Sequence, residues 1–145
     1  MEFFQQLWHT LTQVHPLHPM LVHFPIALTG AAAFFILLAV ILKSWELEQV
    51  AFANLALASL STIAAGVTGV MDNVNTYEGA APNASAKIVL ATLLFALTLG
   101  TSIIRWRTPD LFKRPARIWY ILAILASFAI ALVLAFLGGV ILYGM

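Results

Sequence analysis

Four long apolar segments, separated by short polar connections, constrain the fold of this chain more than any other feature. They cover about Met20 to Leu42, Val50 to Met71, Ala86 to Ile104 and Ile118 to Tyr143. A helix needs roughly 20 apolar residues to cross a hydrocarbon core of about 30 Å, so each segment is long enough for one crossing. Because only 9% of the 145 residues are charged and the mean hydropathy is +0.97, lipid must solvate much of the surface. The sequence therefore predicts a single all-α transmembrane domain over residues 1–145, built as an integral membrane four-helix bundle.

A short amphipathic segment precedes the first span. Apolar side chains recur at helical spacing from Phe3 to Val14, and glutamine and threonine side chains occupy the other face. This pattern predicts a short N-terminal interfacial helix over about residues 2–14, which either lies on lipid or docks against the bundle.

The positive charges are distributed unevenly among the connections. Six of them fall in the first and third connections, residues 43–49 and 105–117, and only Lys87 falls on the opposite side. Because lysine and arginine are enriched in cytoplasmic loops, both termini and the polar connection from Asp72 to Ser85 are predicted to face away from the cytoplasm. In a bacterial inner membrane, that compartment is the periplasm. The six residues are Lys43, Arg105, Arg107, Lys113, Arg114 and Arg117.

The composition excludes several kinds of function. Cysteine is absent, which excludes disulfides, thiolate metal sites, iron-sulfur clusters and covalent attachment of c-type haem. The chain has no basic surface for nucleic acid and no nucleophile motif, phosphate loop or His-Glu-x-x-His motif. The sequence therefore favours an accessory or electron-transfer subunit over an independent enzyme.

All four histidines lie within the first 23 residues, which is the strongest local indication of a site. They are His9, His15, His18 and His23. His15 and His18 each precede a proline, which favours extended backbone, so their imidazoles would project from the same side. Pro19 suits the first turn of a helix and places His23 about one turn inside the span. Because His18 and His23 would lie well apart in angle on an unbroken helix, joint ligation needs loop geometry around the prolines.

Polar groups from other spans are predicted at the same face. Asp72 ends the second span and Tyr143 ends the fourth. A histidine beside a carboxylate can ligate a metal or relay protons, and Asp72 is the best predicted partner for His18 or His23. The predicted metal ligands are His15, His18, His23 and Asp72. The alternatives are a neutral His23 that only hydrogen bonds a neighbouring helix and an Asp72 that only ends a solvated helix.

Haem b is a second cofactor that this face could bind, usually between histidines on two different helices. The second, third and fourth spans contain no histidine, so a second ligand would come from a loop histidine, a methionine or another subunit. The candidate methionines are Met20, Met71 and Met145. Binding of zinc or copper by two or three histidines is chemically easier than binding of haem b, although no spacing matches a recognised metal motif. The third possibility is that no cofactor binds.

Small residues recur every four positions in two of the spans. Such ridges let helix backbones approach closely, and here they predict tight packing of the second span against the fourth, in preference to a slot for a flat macrocycle. The ridges are Ser61, Ala65 and Gly69 in the second span and Ser127, Ala131, Ala135 and Gly139 in the fourth.

The run from His18 to Leu28, His-Pro-Met-Leu-Val-His-Phe-Pro-Ile-Ala-Leu, resembles the opening signature of a bacterial membrane family catalogued as domain of unknown function 2231. The segment from Gly69 to Asp72 resembles the end of the family's second helix, and the segment from Gly138 to Gly144 resembles its closing pattern. The resemblance implies a four-helix membrane domain with a suspected redox or haem-related role. It also implies which residues bind the cofactor: His18, His23, Gly138, Gly139 and Tyr143, with Asp72 beside them.

Together, these features predict a small inner-membrane protein with a periplasmic-side histidine site, acting as a haem- or metal-linked subunit of a redox or electron-transfer complex. The alternative is a purely structural accessory subunit that binds no cofactor. A proton or solute path is disfavoured because no ionisable residue lies deep within the second, third or fourth span. The predicted partners are the lipid bilayer and either other membrane subunits or further copies of the chain, with no nucleic acid.

Overall fold

The computed structural model describes residues 2–9, 17–79 and 83–143, and these ranges are helical almost throughout. The helices are α1 (Glu2–His9), α2 (Leu17–Leu42), α3 (Trp45–Tyr77), α4 (Ala84–Arg107) and α5 (Arg117–Tyr143), with one turn of 3-10 helix at Leu111–Lys113. The described residues contain no strand, and α2 to α5 are each long and apolar enough to cross a membrane. The prediction of an all-α four-helix membrane bundle is confirmed.

The four long helices form a square in which each helix packs against two neighbours. α2 contacts α3 and α5, and α4 contacts the same two helices, so α3 and α5 lie diagonally opposite each other. The contact between α2 and α3 is the most extensive. We call the end of the bundle at which α2 and α4 begin the His18 end, and the end at which α3 and α5 begin the Glu48 end.

A connection of only two residues, Lys43 and Ser44, joins α2 to α3 and holds them side by side. Lys43 has a left-handed backbone with φ of 52°, and the Ser44 amide donates to the Ala39 carbonyl at 3.1 Å, so α2 ends abruptly. The Ser44 hydroxyl then accepts a hydrogen bond from the Leu47 amide at 3.3 Å and caps α3. As a result, α3 begins at Trp45, ahead of the predicted start of the second span at Val50.

Large side chains fill the core at the Glu48 end. Ile36 of α2, Leu55 of α3 and Ile124 of α5 are fully buried, and Phe112 of the 3-10 helix belongs to the same cluster. Because lipid tails are as apolar as these side chains, close van der Waals packing rather than removal from water stabilises this core.

A buried ion pair beside this core joins three helices. The fully buried Glu48 of α3 accepts hydrogen bonds from Arg105 of α4, through Nε at 2.6 Å and Nη2 at 2.8 Å, and from the Tyr120 hydroxyl of α5 at 2.9 Å. The guanidinium carbon lies 4.9 Å from the centre of the Trp45 ring and 5.3 Å from that of Phe52. The planar guanidinium matches the carboxylate in two parallel hydrogen bonds, which strengthens the pair. Arg105, which the sequence places in the third connection, is therefore a buried helix residue.

The small-residue ridges of α3 and α5 do not pack against each other. Because the two helices lie diagonally across the bundle, they make little direct contact, and the prediction of tight packing between them is wrong. Ala65 and Gly69 instead line one side of a cavity that Ala131 and Ala135 line from the other side.

The outside of the bundle presents the apolar surface that lipid covers. Trp106 and Trp119 are 74% and 73% exposed at the Glu48 end, as expected for aromatic side chains at a membrane-water interface. At 1.5 Å per residue, α3 is about 50 Å long and extends beyond a hydrocarbon core of about 30 Å. Large apolar side chains exposed along the four helices include Phe34, Ile41, Leu60, Ile104 and Phe136.

The contact between α2 and α5 depends on a glycine. A Cβ added at Gly30 would lie 3.1 Å from Cε2 of Phe128, whereas a Cβ added at Gly100 would meet no atom within 4 Å. We expect Gly30→Leu to lower the free energy of unfolding by about 1–3 kcal/mol through overpacking, and Gly100→Leu to leave it unchanged or slightly higher. Unfolding in mixed micelles with increasing SDS, followed by circular dichroism, measures both. Equal stability of the two variants would contradict the packing of α2 on α5.

Candidate functional site

A cavity of about 490 Å³ lies between the four long helices in the half of the bundle nearest the His18 end. Its walls are mostly apolar. The polar side chains in its lining are His18, Thr62, Asp72, Asn73, Lys87 and Thr92. This volume and this combination of apolar walls with a few polar groups are typical of sites for small molecules and cofactors.

Small side chains create this cavity. Ala65, Gly66 and Gly69 leave space beside α3, and Ala131 and Ala135 leave space beside α5. Residues three or four positions apart share a face of a helix, so each ridge removes side-chain volume from one continuous strip of the interior. The ridges therefore hollow the bundle at the His18 end.

His18 is positioned by two contacts with α3. Its Nδ1 lies 3.3 Å from the Thr68 hydroxyl, and its ring rests on Gly69, where an added Cβ would be only 2.8 Å from Cε1. The Thr68 hydroxyl donates its own proton to the Ala64 carbonyl at 2.9 Å, so it accepts the bond from Nδ1–H. In the neutral ring, the lone pair is then on Nε2, which is a nitrogen that can ligate a metal or a haem iron.

Two charged side chains accompany His18 in the cavity wall. Asp72 of α3 acts electrostatically on both His18 and Lys87, and Lys87 of α4 also acts on His18. The cavity thus combines an imidazole, a carboxylate and an ammonium group at one end with apolar space beyond them.

His23 lies on the outside of α2 rather than in this cavity. Its side chain is exposed, and its Nδ1 donates a hydrogen bond to the Pro19 carbonyl one turn earlier. Because α2 begins at Leu17 and runs unbroken through both histidines, the two imidazoles point about 140° apart around the helix axis. The first turn of a helix tolerates Pro19, so the extended backbone expected at His18 is not formed. The structure brings His18 together with Asp72 but not with His23.

The other predicted site residues lie away from the cavity or outside the described part of the chain. Gly138 and Gly139 lie near the end of α5, where an added Cβ would meet no atom within 4 Å, and neither lines the cavity. Tyr143 is the last residue of α5, but its side chain is outside the described structure, and so is all of His15. Of the predicted interfacial helix, only α1 falls within the described residues. These residues contain no group of three or more His, Asp or Glu side chains placed to hold a metal ion.

Lys87 lines the cavity, whereas the sequence pattern indicates only a positive charge on the side opposite the other six. It lies four residues before Ala91, and both side chains line the cavity from α4. Their spacing shows that Lys87 and Ala91 share a face of the helix, but it does not show which way that face is turned.

Gly69 controls where the His18 ring can lie. We expect Gly69→Ala to displace the ring and break its bond to Thr68, because the new methyl would overlap Cε1, whereas Gly66→Ala meets open space. The free energy of unfolding should change by no more than about 1 kcal/mol, since better helix propensity offsets one lost hydrogen bond. Nitrogen-15 NMR of labelled histidine in micelles would show His18 ring shifts that change in Gly69→Ala alone. Identical His18 shifts in both variants would contradict this position.

The matched family covers all of the bundle described above. The family described as "Predicted membrane protein (DUF2231)" matches residues 14–145. No curated protein and no solved structure matches the chain. Since the match includes all four long helices, the chain belongs to the membrane protein family catalogued as domain of unknown function 2231.

Proposed function

We propose that the chain is a small bacterial inner-membrane subunit that binds haem b in the cavity at the His18 end, where His18 would hold the iron. The observation that carries this proposal is an apolar cavity of about 490 Å³ with one histidine in its wall, held by a hydrogen bond between its Nδ1 and Thr68. A bound haem iron would supply one-electron chemistry, which suits a subunit of a redox or electron-transfer complex.

The available ligands favour haem over a single metal ion. Zinc is held by three or four protein ligands, and the described residues gather no group of three. A haem brings its own ring of nitrogens, so one histidine is enough for an iron with an open position. The strips of alanine and glycine on α3 and α5 leave room for a flat ring, and Lys87 is placed to pair with a carboxylate of the ligand.

A haem held by His18 would find no second histidine and no methionine among the described residues that line the cavity. His23, Met20 and Met71 are exposed, and none of them lines the cavity. A sixth ligand would therefore come from His15, from Met145, from another subunit or from a further copy of the chain. A haem iron without a second protein ligand would instead be able to bind a small molecule.

The distribution of charge supports a periplasmic position for this site. Five cationic side chains lie at the Glu48 end, against Lys87 at the His18 end. Arg105 is left out of this comparison because it is buried in its ion pair. Five cationic side chains at one end and one at the other still favour a cytoplasmic Glu48 end. Both termini then face the periplasm. The five residues are Lys43, Arg107, Lys113, Arg114 and Arg117.

A structural subunit without a cofactor is the second candidate, and one contact favours it. The hydrogen bond between His18 and Thr68 satisfies one ring nitrogen without any ligand and links α2 to α3. In that case His18 fixes the packing of the two helices, and the exposed apolar surface of the bundle docks against a larger complex.

Absorption spectra of the purified protein, oxidised and reduced, with metal analysis on the same sample, separate the two candidates. We expect a Soret band that is lost in His18→Ala and retained in His23→Ala, because only the first imidazole lies in the cavity wall. His23→Ala is the matched control, since it removes the same side chain from an exposed position on the same helix. A colourless, metal-free protein that co-purifies in fixed ratio with other membrane subunits would support the structural candidate instead.

A further inference from the structure

A second cavity, of about 290 Å³, lies at the Glu48 end between the last turns of α2 and the connection that leads into α5. Three cationic side chains line it, Lys43, Lys113 and Arg117, together with apolar side chains that include Trp45 and Val40. The three cations come from three different places: the connection after α2, the 3-10 helix and the first turn of α5. The fold therefore brings Lys43 to the same cavity as Lys113 and Arg117, which lie 70 or more residues further along the chain.

Nearby carboxylates do not neutralise these three cations. Glu48 is fully occupied by Arg105 and Tyr120. Asp110 accepts a hydrogen bond from Arg114 at 2.9 Å, which holds the pKa of that carboxyl below its ordinary value and keeps the pair ionised at neutral pH. Within the described part of the chain, Lys43, Lys113 and Arg117 form no ion pair. An anion entering the cavity would therefore meet three cations without a salt-bridge partner among the described residues, of which Lys113 also interacts with Asp110 at longer range.

The apolar side of this cavity continues onto the lipid-facing surface of α2. Val40 lines the cavity and is 44% exposed, and the adjacent Ile41 is 71% exposed. Trp45 lies under the Lys113 ammonium, with 5.1 Å from Nζ to the ring centre, so the cavity has an aromatic wall beside its charges. The exposed Trp106 and Trp119 lie at the same end of the bundle and mark the level of the headgroups. A free inorganic anion would use only the charges, whereas a phospholipid uses both the charges and the apolar surface.

We infer that this cavity binds the phosphate headgroup of an anionic phospholipid, with Lys43, Lys113 and Arg117 as its cationic contacts and the outer face of α2 beside its acyl chains. Basic pockets between transmembrane helices are suited to such headgroups, because each cation near the phosphate strengthens binding. This site is separate from the His18 cavity and does not depend on whether a haem binds there.

Native mass spectrometry of the protein released from nanodiscs of phosphatidylcholine and phosphatidylglycerol tests this site. We expect the protein to retain one phosphatidylglycerol in preference to phosphatidylcholine. Lys113→Gln and Arg117→Gln should each weaken this retention about fivefold, since each removes one cationic contact. Lys113→Arg should retain the lipid, because it keeps the charge.

Arg107→Gln is a matched control that removes the same charge at the same end without touching the cavity. We expect it to retain phosphatidylglycerol as the unmodified chain does, and all these variants to unfold in SDS as that chain does, because the side chains are exposed. Equal losses in this control and the cavity variants would overturn the site and leave only general electrostatic attraction. Displacement of the lipid by millimolar inorganic phosphate would overturn the assignment to a lipid. Equal retention of phosphatidylcholine would overturn the role of the cations.

Discussion

The carboxylate of Glu48 is fully buried in a bundle that lipid surrounds, so the protein itself must compensate its charge. Arg105 does so from α4 with two hydrogen bonds, and Tyr120 adds a third from α5. Removal of one partner from a buried ion pair typically costs about 3–5 kcal/mol, because the remaining charge is left unpaired. This requirement fixes three helices at one end of the bundle, and the two-residue connection after α2 attaches the fourth.

With the Glu48 end fixed in this way, the His18 end can be open. Large side chains such as Leu55 and Ile124 fill the core near the ion pair, while alanine and glycine replace them further along α3 and α5. Lipid tails cannot supply a hydrophobic driving force for closing that space, since the bundle interior is no more apolar than lipid. A cavity that would be costly in a soluble core is therefore compatible with a stable membrane bundle, and His18 lies in its wall.

Much of this architecture follows from the sequence, because hydropathy reports directly how many helices can cross the bilayer. Hydropathy does not distinguish a charge in a loop from a charge in a buried pair, so the sequence pattern assigns Glu48 and Arg105 to connections. Helical spacing shows which residues share a face but not which helix that face meets, so it wrongly predicts that the ridge containing Ala65 packs on the ridge containing Ala131. The placement of His18 depends on where α2 begins. Pro19 marks that start only to within one turn, and the bond to Thr68 needs the fold.

A double-mutant cycle on the buried ion pair tests most directly the claim that it holds the bundle together. The cycle compares the free energy of unfolding in SDS for the unmodified chain, Glu48→Gln, Arg105→Gln and the variant with both changes, with Tyr120→Phe as a measure of one neutral hydrogen bond. We predict that each single change in the pair costs about 3–5 kcal/mol, that Tyr120→Phe costs about 1 kcal/mol, and that the double variant loses no more than either single variant. Losses in the double variant equal to the sum of the two single losses would show that the charges do not depend on each other, and would contradict the account.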